Sequence, residues 1–267
     1  MSDHVLRLGD CLDPVTGLAS LPDKSVDHVI CDPPYEAEAH TLQRRTLQFF
    51  QGPRRAGVEK GATPKEKPVG FDAITEDLRS AVALEIARVA RRWSLAFCQA
   101  EAVGKWKDAL EAGPARHRRA AIWVKPNGQP QLTGDRPGMG YESIVCAHAI
   151  GKSRWNGGGK HGVYVFPTDT WMTEVNNGTM RIHPTQKPLD LMLAIISDFT
   201  DPGELICDPF AGSGTTGVAC KRLGRRFVGW EKDPKFHTAA VKRIEAAREQ
   251  GDFFRRPPKP KQGKLLP

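Results

Sequence analysis

Two short stretches of this chain place reactive side chains where a sheet could present them. The first is Asp32-Pro33-Pro34-Tyr35. An apolar run over residues 26–31 stops there, and the two prolines cannot continue a strand's hydrogen-bond ladder. A carboxylate, two rigid backbone units and an aromatic ring are thereby set at a strand's carboxyl edge, where open α/β sheets bind ligands. The second is Asp208-Pro209-Phe210-Ala211-Gly212-Ser213-Gly214-Thr215-Thr216, with Gly217 following. Its Gly212-x-Gly214-x-x-Gly217 spacing fits a dinucleotide fingerprint, and Glu231 stands near the distance expected of a ribose-binding acid.

Glycine permits a tight turn and close approach of a ligand to the backbone, and a carboxylate accepts hydrogen bonds from both ribose hydroxyls. A Walker phosphate loop is excluded, because no Lys-Ser or Lys-Thr pair follows the glycines. NAD and S-adenosylmethionine (AdoMet) both carry an adenosine ribose for Glu231. Asp208 favours AdoMet: an acid at the loop mouth repels a pyrophosphate but pairs with the methionine ammonium. Lys187 could answer the methionine carboxylate. An NAD-binding oxidoreductase stays open as the alternative, although it gives Asp32-Pro33-Pro34-Tyr35 no use.

The surrounding elements read as an alternating α/β chain. Strands are predicted over residues 5–8, 26–31, 93–98, 120–124, 141–148, 205–207 and 226–230. Helices are predicted over 76–92, 102–112, 189–199, 215–223 and 234–248, with Thr185 a cap before the third. Strand, glycine loop, helix, strand and acid in succession make half of a nucleotide-binding sheet. Residues 36–70 and 127–182 are rich in Gly, Pro and basic residues and read as insertions within a catalytic domain spanning 1–249. Residues 250–267 read as a basic, unfolded tail.

Bulk properties narrow the class. At 267 residues the chain suits one large α/β domain with insertions. No apolar run approaches the roughly 18 residues of a membrane helix, and Met1-Ser2-Asp3-His4 lacks a signal-peptide start. The six cysteines form no C-x-x-C pair and five lie in or beside apolar runs. They are expected to be reduced core residues in a cytoplasmic chain, with no metal site. The net charge of +8 suits a polyanionic partner. Its carriers gather at Arg44-Arg45, Arg54-Arg55, residues 60–67, 116–119 and 255–264.

Taken together, Asp32-Pro33-Pro34-Tyr35 and Asp208-Pro209-Phe210-Ala211-Gly212-Ser213-Gly214 resemble the amino-methylating DNA methyltransferases. The order, catalytic motif before cofactor motif, is similar to the beta type, in which a Rossmann-like AdoMet sheet is circularly permuted. Gly9-Asp10-Cys11, His183-Pro184-Thr185-Gln186-Lys187-Pro188, Gly229-Trp230-Glu231 and Trp123-Val124-Lys125-Pro126-Asn127 match further motifs of that family in its order. The resemblance covers most of residues 5–248.

It implies an enzyme that moves a methyl from AdoMet to the exocyclic nitrogen of a flipped base in double-stranded DNA. The implied catalytic residues are Asp32, Pro33, Pro34 and Tyr35. The implied cofactor residues are Asp10, Cys11, Thr185, Lys187, Asp208, Pro209, Phe210, Ala211, Gly212, Ser213, Gly214, Thr215 and Glu231. Arg44, Arg45, Arg54, Arg55, Lys125 and Asn127 are expected to contact DNA. The family's cytosine enzymes more often carry Ser where this chain has Asp32, which favours N6 of adenine over N4 of cytosine. An inactive DNA-binding module is the other reading; intact Asp32, Tyr35, Asp208 and Glu231 speak against it. The resemblance allows a homodimer and a cognate restriction endonuclease as partners.

Overall fold

Apolar runs too short for helices and bounded by turn residues are best buried as the inner strands of a parallel sheet, and that is where they lie. The computed structural model describes residues 3–35, 73–128, 134–168 and 186–249. Its strands are β1 (His4–Leu8), β2 (His28–Cys31), β3 (Trp93–Cys98), β4 (Ala115–Val124), β5 (Tyr141–Ala149), β6 (Val163–Val165), β7 (Leu205–Asp208) and β8 (Arg226–Glu231). They form one sheet in the order β1-β8-β7-β2-β3-β5-β4-β6. β5 is antiparallel to its neighbours and the other pairings are parallel. β2 comes early in the chain yet sits beside β7, which is the circularly permuted Rossmann-like arrangement.

The helices are α1 (Glu76–Val89), α2 (Val103–Glu111), α3 (Leu189–Phe199), α4 (Thr215–Arg222) and α5 (Pro234–Ala246). Side chains alternate across the central strands, so each strand feeds two layers. Ile30, Leu95, Ile206 and Phe227 pack with Leu191, Ile195 and Val218 of α3 and α4. Val29, Ala96, Cys207 and Val228 pack with Val82, Ile86, Trp106 and Leu110 of α1 and α2. Burial on both faces explains why these strands read as continuous apolar runs. Thr75 caps α1 by accepting from the Leu78 N–H, and Asp233 caps α5 by accepting from Lys235 and Phe236, with Pro234 in the first turn.

The structure departs from the sequence reading in a few places. β4 starts at Ala115 rather than 120, taking the arginine run into the sheet. β5 pairs along its full length, and a register shift between His117 and Arg119 accommodates the polar stretch while Arg116, Arg118 and Arg119 stay exposed. The segment 127–182, read as an insertion, contributes β5 and β6 to the sheet. Three-residue β6 carries too little pattern to be seen in sequence. α3 spans the expected residues, but Pro188 holds its N-cap position. Thr185 lies outside the described residues, as do 36–70 and 250–267. No helix among the described residues is long and apolar enough to cross a membrane.

Candidate active site

β2 and β7 are neighbours in parallel register, with Val29 opposite Cys207. Their carboxyl ends therefore deliver Asp32 and Asp208 to the same edge of the sheet. By the two-residue period, Asp208 shares the face of Ile206, the one covered by α3 and α4.

Asp208 is 2% exposed, and both its oxygens are held. Oδ1 accepts from the Phe210 N–H at 3.0 Å and Oδ2 from the Thr216 hydroxyl at 2.6 Å. Burial pushes its carboxyl up to about 7 against the pull of those two bonds. The loop behind it is folded by its own backbone: Gly214 N–H donates to Ala211 O, and Ala211 N–H to Trp230 O. Gly214 takes φ 77°, and a Cβ there would stand 2.9 Å from the Ala240 Cβ, so no other residue fits without a shift. A Cβ on Gly217 would meet Ile244 and Phe227, so this glycine lets α4 lie close to α5 and β8. Glu231 Oε2 accepts from the Gly212 N–H at 2.8 Å and Oε1 from the Asp233 N–H at 2.7 Å. That carboxylate is fixed at the end of β8. β1 pairs with β8, and the Gly9 N–H donates to Glu231 O, which brings Asp10 and Cys11 beside it. Asp10 accepts from the Leu12 N–H. Cys11 is buried, and burial followed by Asp10 pushes its thiol up to about 12. Ser213 and Thr215 hydroxyls lie 3.2 Å apart inside the loop.

Asp32 belongs to a second, ionic half. Lys187 donates to Asp32 Oδ2 at 2.6 Å, to Glu142 Oε2 at 3.2 Å and to the Tyr35 hydroxyl at 3.2 Å. Those three contacts use all three ammonium N–H bonds. The Tyr35 hydroxyl donates to Glu142 Oε2 at 2.5 Å, and Lys125 donates to Glu142 Oε1. The rings of Phe97, Tyr35 and Trp123 stand 5.0, 5.3 and 5.8 Å from the Lys187 nitrogen. Two carboxylates thus face two ammonium groups. Burial opposes the charge on Lys187, but Asp32 and Glu142 outweigh it and hold the ammonium above its ordinary range. Burial likewise opposes the Glu142 charge, and Lys187 and Lys125 pull it down to about 2. Burial pushes Asp32 upward, with Lys187 the main opposing force. Asp32 Oδ1 is a buried acceptor with no partner among the described residues.

Lys187, expected at a methionine carboxylate, spends its donors on Asp32, Glu142 and Tyr35 in this conformation. Lys125, expected at DNA, is 14% exposed and paired with Glu142. Asn127, also expected at DNA, clasps Thr168 through its carbonyl and its amide. Pro33 is buried, Pro34 half-buried, Pro209 and Ala211 buried, and Phe210 half-buried at the loop. Arg44, Arg45, Arg54, Arg55 and Thr185 lie outside the described residues. Glu142 is the participant that sequence reasoning missed. Its signal was there: a lone carboxylate in the apolar run 141–149 must find a partner once buried. Arg243, which donates to Ser213 O and to Gln186 Oε1, ties the glycine loop to the segment before α3. All six cysteines are free and buried, and no metal-binding cluster occurs among the described residues.

A doubly wound sheet with an acid-flanked glycine loop beside a second acidic strand end has the layout of a nucleoside-cofactor site. The sequence profile of the DNA methylase family, N6 and N4 type, matches residues 26–242, and the chain belongs to that family. It is 25% identical over 259 residues to the type II methyltransferase M.HinfI of Haemophilus influenzae, covering 90% of this chain and 68% of that protein. Over 67 residues, a quarter of each chain, it is 54% identical to the type II methyltransferase M2.DpnII of Streptococcus pneumoniae. Among solved structures it superposes on the M1.HpyAVI–SAM complex with TM-score 0.61 at 23% identity, covering 90% of this chain and 98% of that one. The cytosine-N4-specific PvuII DNA methyltransferase gives TM-score 0.62 at 14% identity, with 91% and 87% covered. At such identities these two likenesses speak for the fold.

Proposed function

We propose that this chain transfers a methyl group from AdoMet to the N6 amine of an adenine flipped out of double-stranded DNA. The observation that carries the reading is the adjacency of β2 and β7, which sets a cofactor acid and an amine acceptor side by side. The glycine-loop residues fit AdoMet by their chemistry. Asp208 is a buried carboxylate whose ionisation is unfavourable until a cation joins it, which a methionine ammonium does and a pyrophosphate does not. Glu231 is held by two backbone N–H groups with lone pairs left for a ribose diol. Asp10 and Cys11 then lie by the cofactor adenine, and Phe210, Ser213 and Thr215 line the methionine. When bound, AdoMet supplies a methyl on a sulfonium, an electrophile that needs no further activation.

The chain's task is then to make a poor nucleophile attack. The lone pair of an exocyclic amine is delocalised into its ring. Asp32 Oδ1 and the Pro33 carbonyl accept its two N–H bonds and favour a pyramidal nitrogen aimed at the methyl. The unmet Oδ1 acceptor is what such a donor would satisfy. Pro33 and Pro34 hold the carbonyl rigid, and Tyr35 stacks on the extruded base. Arg44, Arg45, Arg54 and Arg55 serve the phosphates, so binding weakens steeply with salt. Asp at position 32 supports adenine.

The test is transfer of labelled methyl from AdoMet to mixed-sequence duplex DNA, followed by nucleoside digestion and mass spectrometry. N6-methyladenine is expected. N4-methylcytosine would overturn the choice of base, and unlabelled DNA from protein that binds AdoMet would overturn the reaction.

A further inference from the structure

Glu142 touches neither cofactor nor base in that reading, yet it closes the ionic half of the site. β5 runs antiparallel to β3 and β4, so its first residues lie at the edge where β2, β3 and β4 end. Glu142 stands opposite Trp123, on the face where Lys187 precedes α3. There it receives three donors: the Tyr35 hydroxyl and Lys187 on Oε2, and Lys125 on Oε1. Without it, Lys187 would keep a single carboxylate, the Tyr35 hydroxyl would lose its 2.5 Å bond to Oε2, and a buried positive charge would stand in excess.

We propose that Glu142 is a positioning residue: it fixes the Tyr35 ring and the Lys187 ammonium, and through Lys187 the carboxylate of Asp32, so that Oδ1 alone is left for the target amine. The inference rests on the amine-methylation reading above. A buried ionic network is a weak source of stability, and apolar replacements of similar volume often do as well. Orientation is what this one supplies. A carboxylate is required because every group around it is a donor; an amide at position 142 would turn its own NH2 toward an ammonium or a phenol.

The experiment compares Glu142→Gln and Lys125→Met with Asp32→Ala in single-turnover methylation across pH, beside AdoMet affinity by calorimetry. A lysine-ammonium 15N spectrum is recorded without cofactor. Wild type shows a slowly exchanging ammonium signal, assigned by its loss in Lys187→Met and displaced in Glu142→Gln. Glu142→Gln lowers the transfer rate about 10- to 100-fold while AdoMet affinity stays near wild type.

The groups acting on Asp32 are Lys187, Glu142 and Tyr35 directly, with Asp208 and Cys31 behind them, and Lys125 acts through the Glu142 carboxylate it pairs with. Removing the Glu142 charge moves the acid limb of the rate to lower pH, and removing Lys125 moves it to higher pH. Opposite shifts are expected of a charge network and not of a packing defect. If Glu142→Gln does not fold, the Lys125→Met limb decides: an upward shift supports the proposal and an unmoved limb overturns it. A Glu142→Gln enzyme with wild-type rate and unmoved limb, beside inactive Asp32→Ala, overturns this inference and leaves the methyltransferase reading standing. An active Asp32→Ala overturns that reading itself.

Discussion

The proposed pairing of Asp208 with the methionine ammonium makes cofactor affinity depend on pH in a way that can be worked out. Its carboxyl sits at about 7 because burial disfavours the charge. A methionine ammonium needs the ionised form, so the observed dissociation constant is the intrinsic one divided by the ionised fraction. That fraction is about one in eleven at pH 6 and about one in a hundred at pH 5, so affinity falls about 10-fold and about 100-fold from its value at pH 8. The sign for stability follows separately. The folded carboxyl holds its proton between its ordinary value of 3.8 and about 7, whereas the unfolded one has lost it. Stability therefore declines as pH rises through that window and levels off above it, at a cost of at most about 4 kcal/mol. Asp208→Asn removes this cost but also loses an acceptor worth about 1–2 kcal/mol, so the cofactor-free variant melts a few degrees higher at pH 8. The same variant binds AdoMet weakly at every pH. The assay is titration calorimetry from pH 5 to 8 in buffers of different ionisation heat. Near pH 6 binding should release close to one proton. A dissociation constant flat across that range, with no proton released, would refute the pairing of Asp208 with the ammonium.

Other outcomes follow from single contacts. Glu231→Gln replaces one acceptor oxygen by a donor where the Gly212 and Asp233 N–H groups both point, and AdoMet affinity should fall about 10- to 100-fold by calorimetry. Gly214→Ala forces a side chain into φ 77° and against Ala240; urea unfolding should show a loss of about 1–3 kcal/mol. At the opposite end of the sheet His28 is fully buried, with Nε2 2.8 Å from Glu204 Oε2, and Arg92 also pairs with Glu204. Burial holds His28 below its ordinary range, while His28, the Asp201 N–H and Arg92 outweigh burial to pull Glu204 down to about 2. Both lose stability in the same direction: the His28 contribution fades as pH falls below about 6.5 and the Glu204 contribution as pH falls below about 4.5. The Asp208 gain is common to both proteins, so the wild-type denaturation midpoint should fall relative to that of His28→Gln as pH drops below about 6.5.

Local signals made the glycine-loop half of the site legible in the sequence. A strand exit with Asp208, glycines at fixed spacing and Glu231 at the next strand end are all short-range features, and α3, β3 and the glycine loop fall where periodicity and turn residues put them. The ionic half was not legible because it depends on which strands become neighbours. Asp32, Lys125, Glu142 and Lys187 come from four separated segments, joined only once β5 is laid antiparallel beside β3 and β4. That is why the sequence does not show that the Lys125 and Lys187 donors, expected at ligands, pair with carboxylates of the chain in this conformation. β4 extended beyond expectation because pairing with β5 overrides the polar character of residues 116–119.

The most direct test of the central claim is methylation-aware single-molecule sequencing of DNA from a methylation-free bacterium expressing this chain, beside an Asp32→Ala control. N6-methyladenine confined to one short sequence context, and absent from the control, is the predicted result. Unmodified DNA from cells holding folded, AdoMet-binding protein, or a control that methylates as well as wild type, would contradict the account.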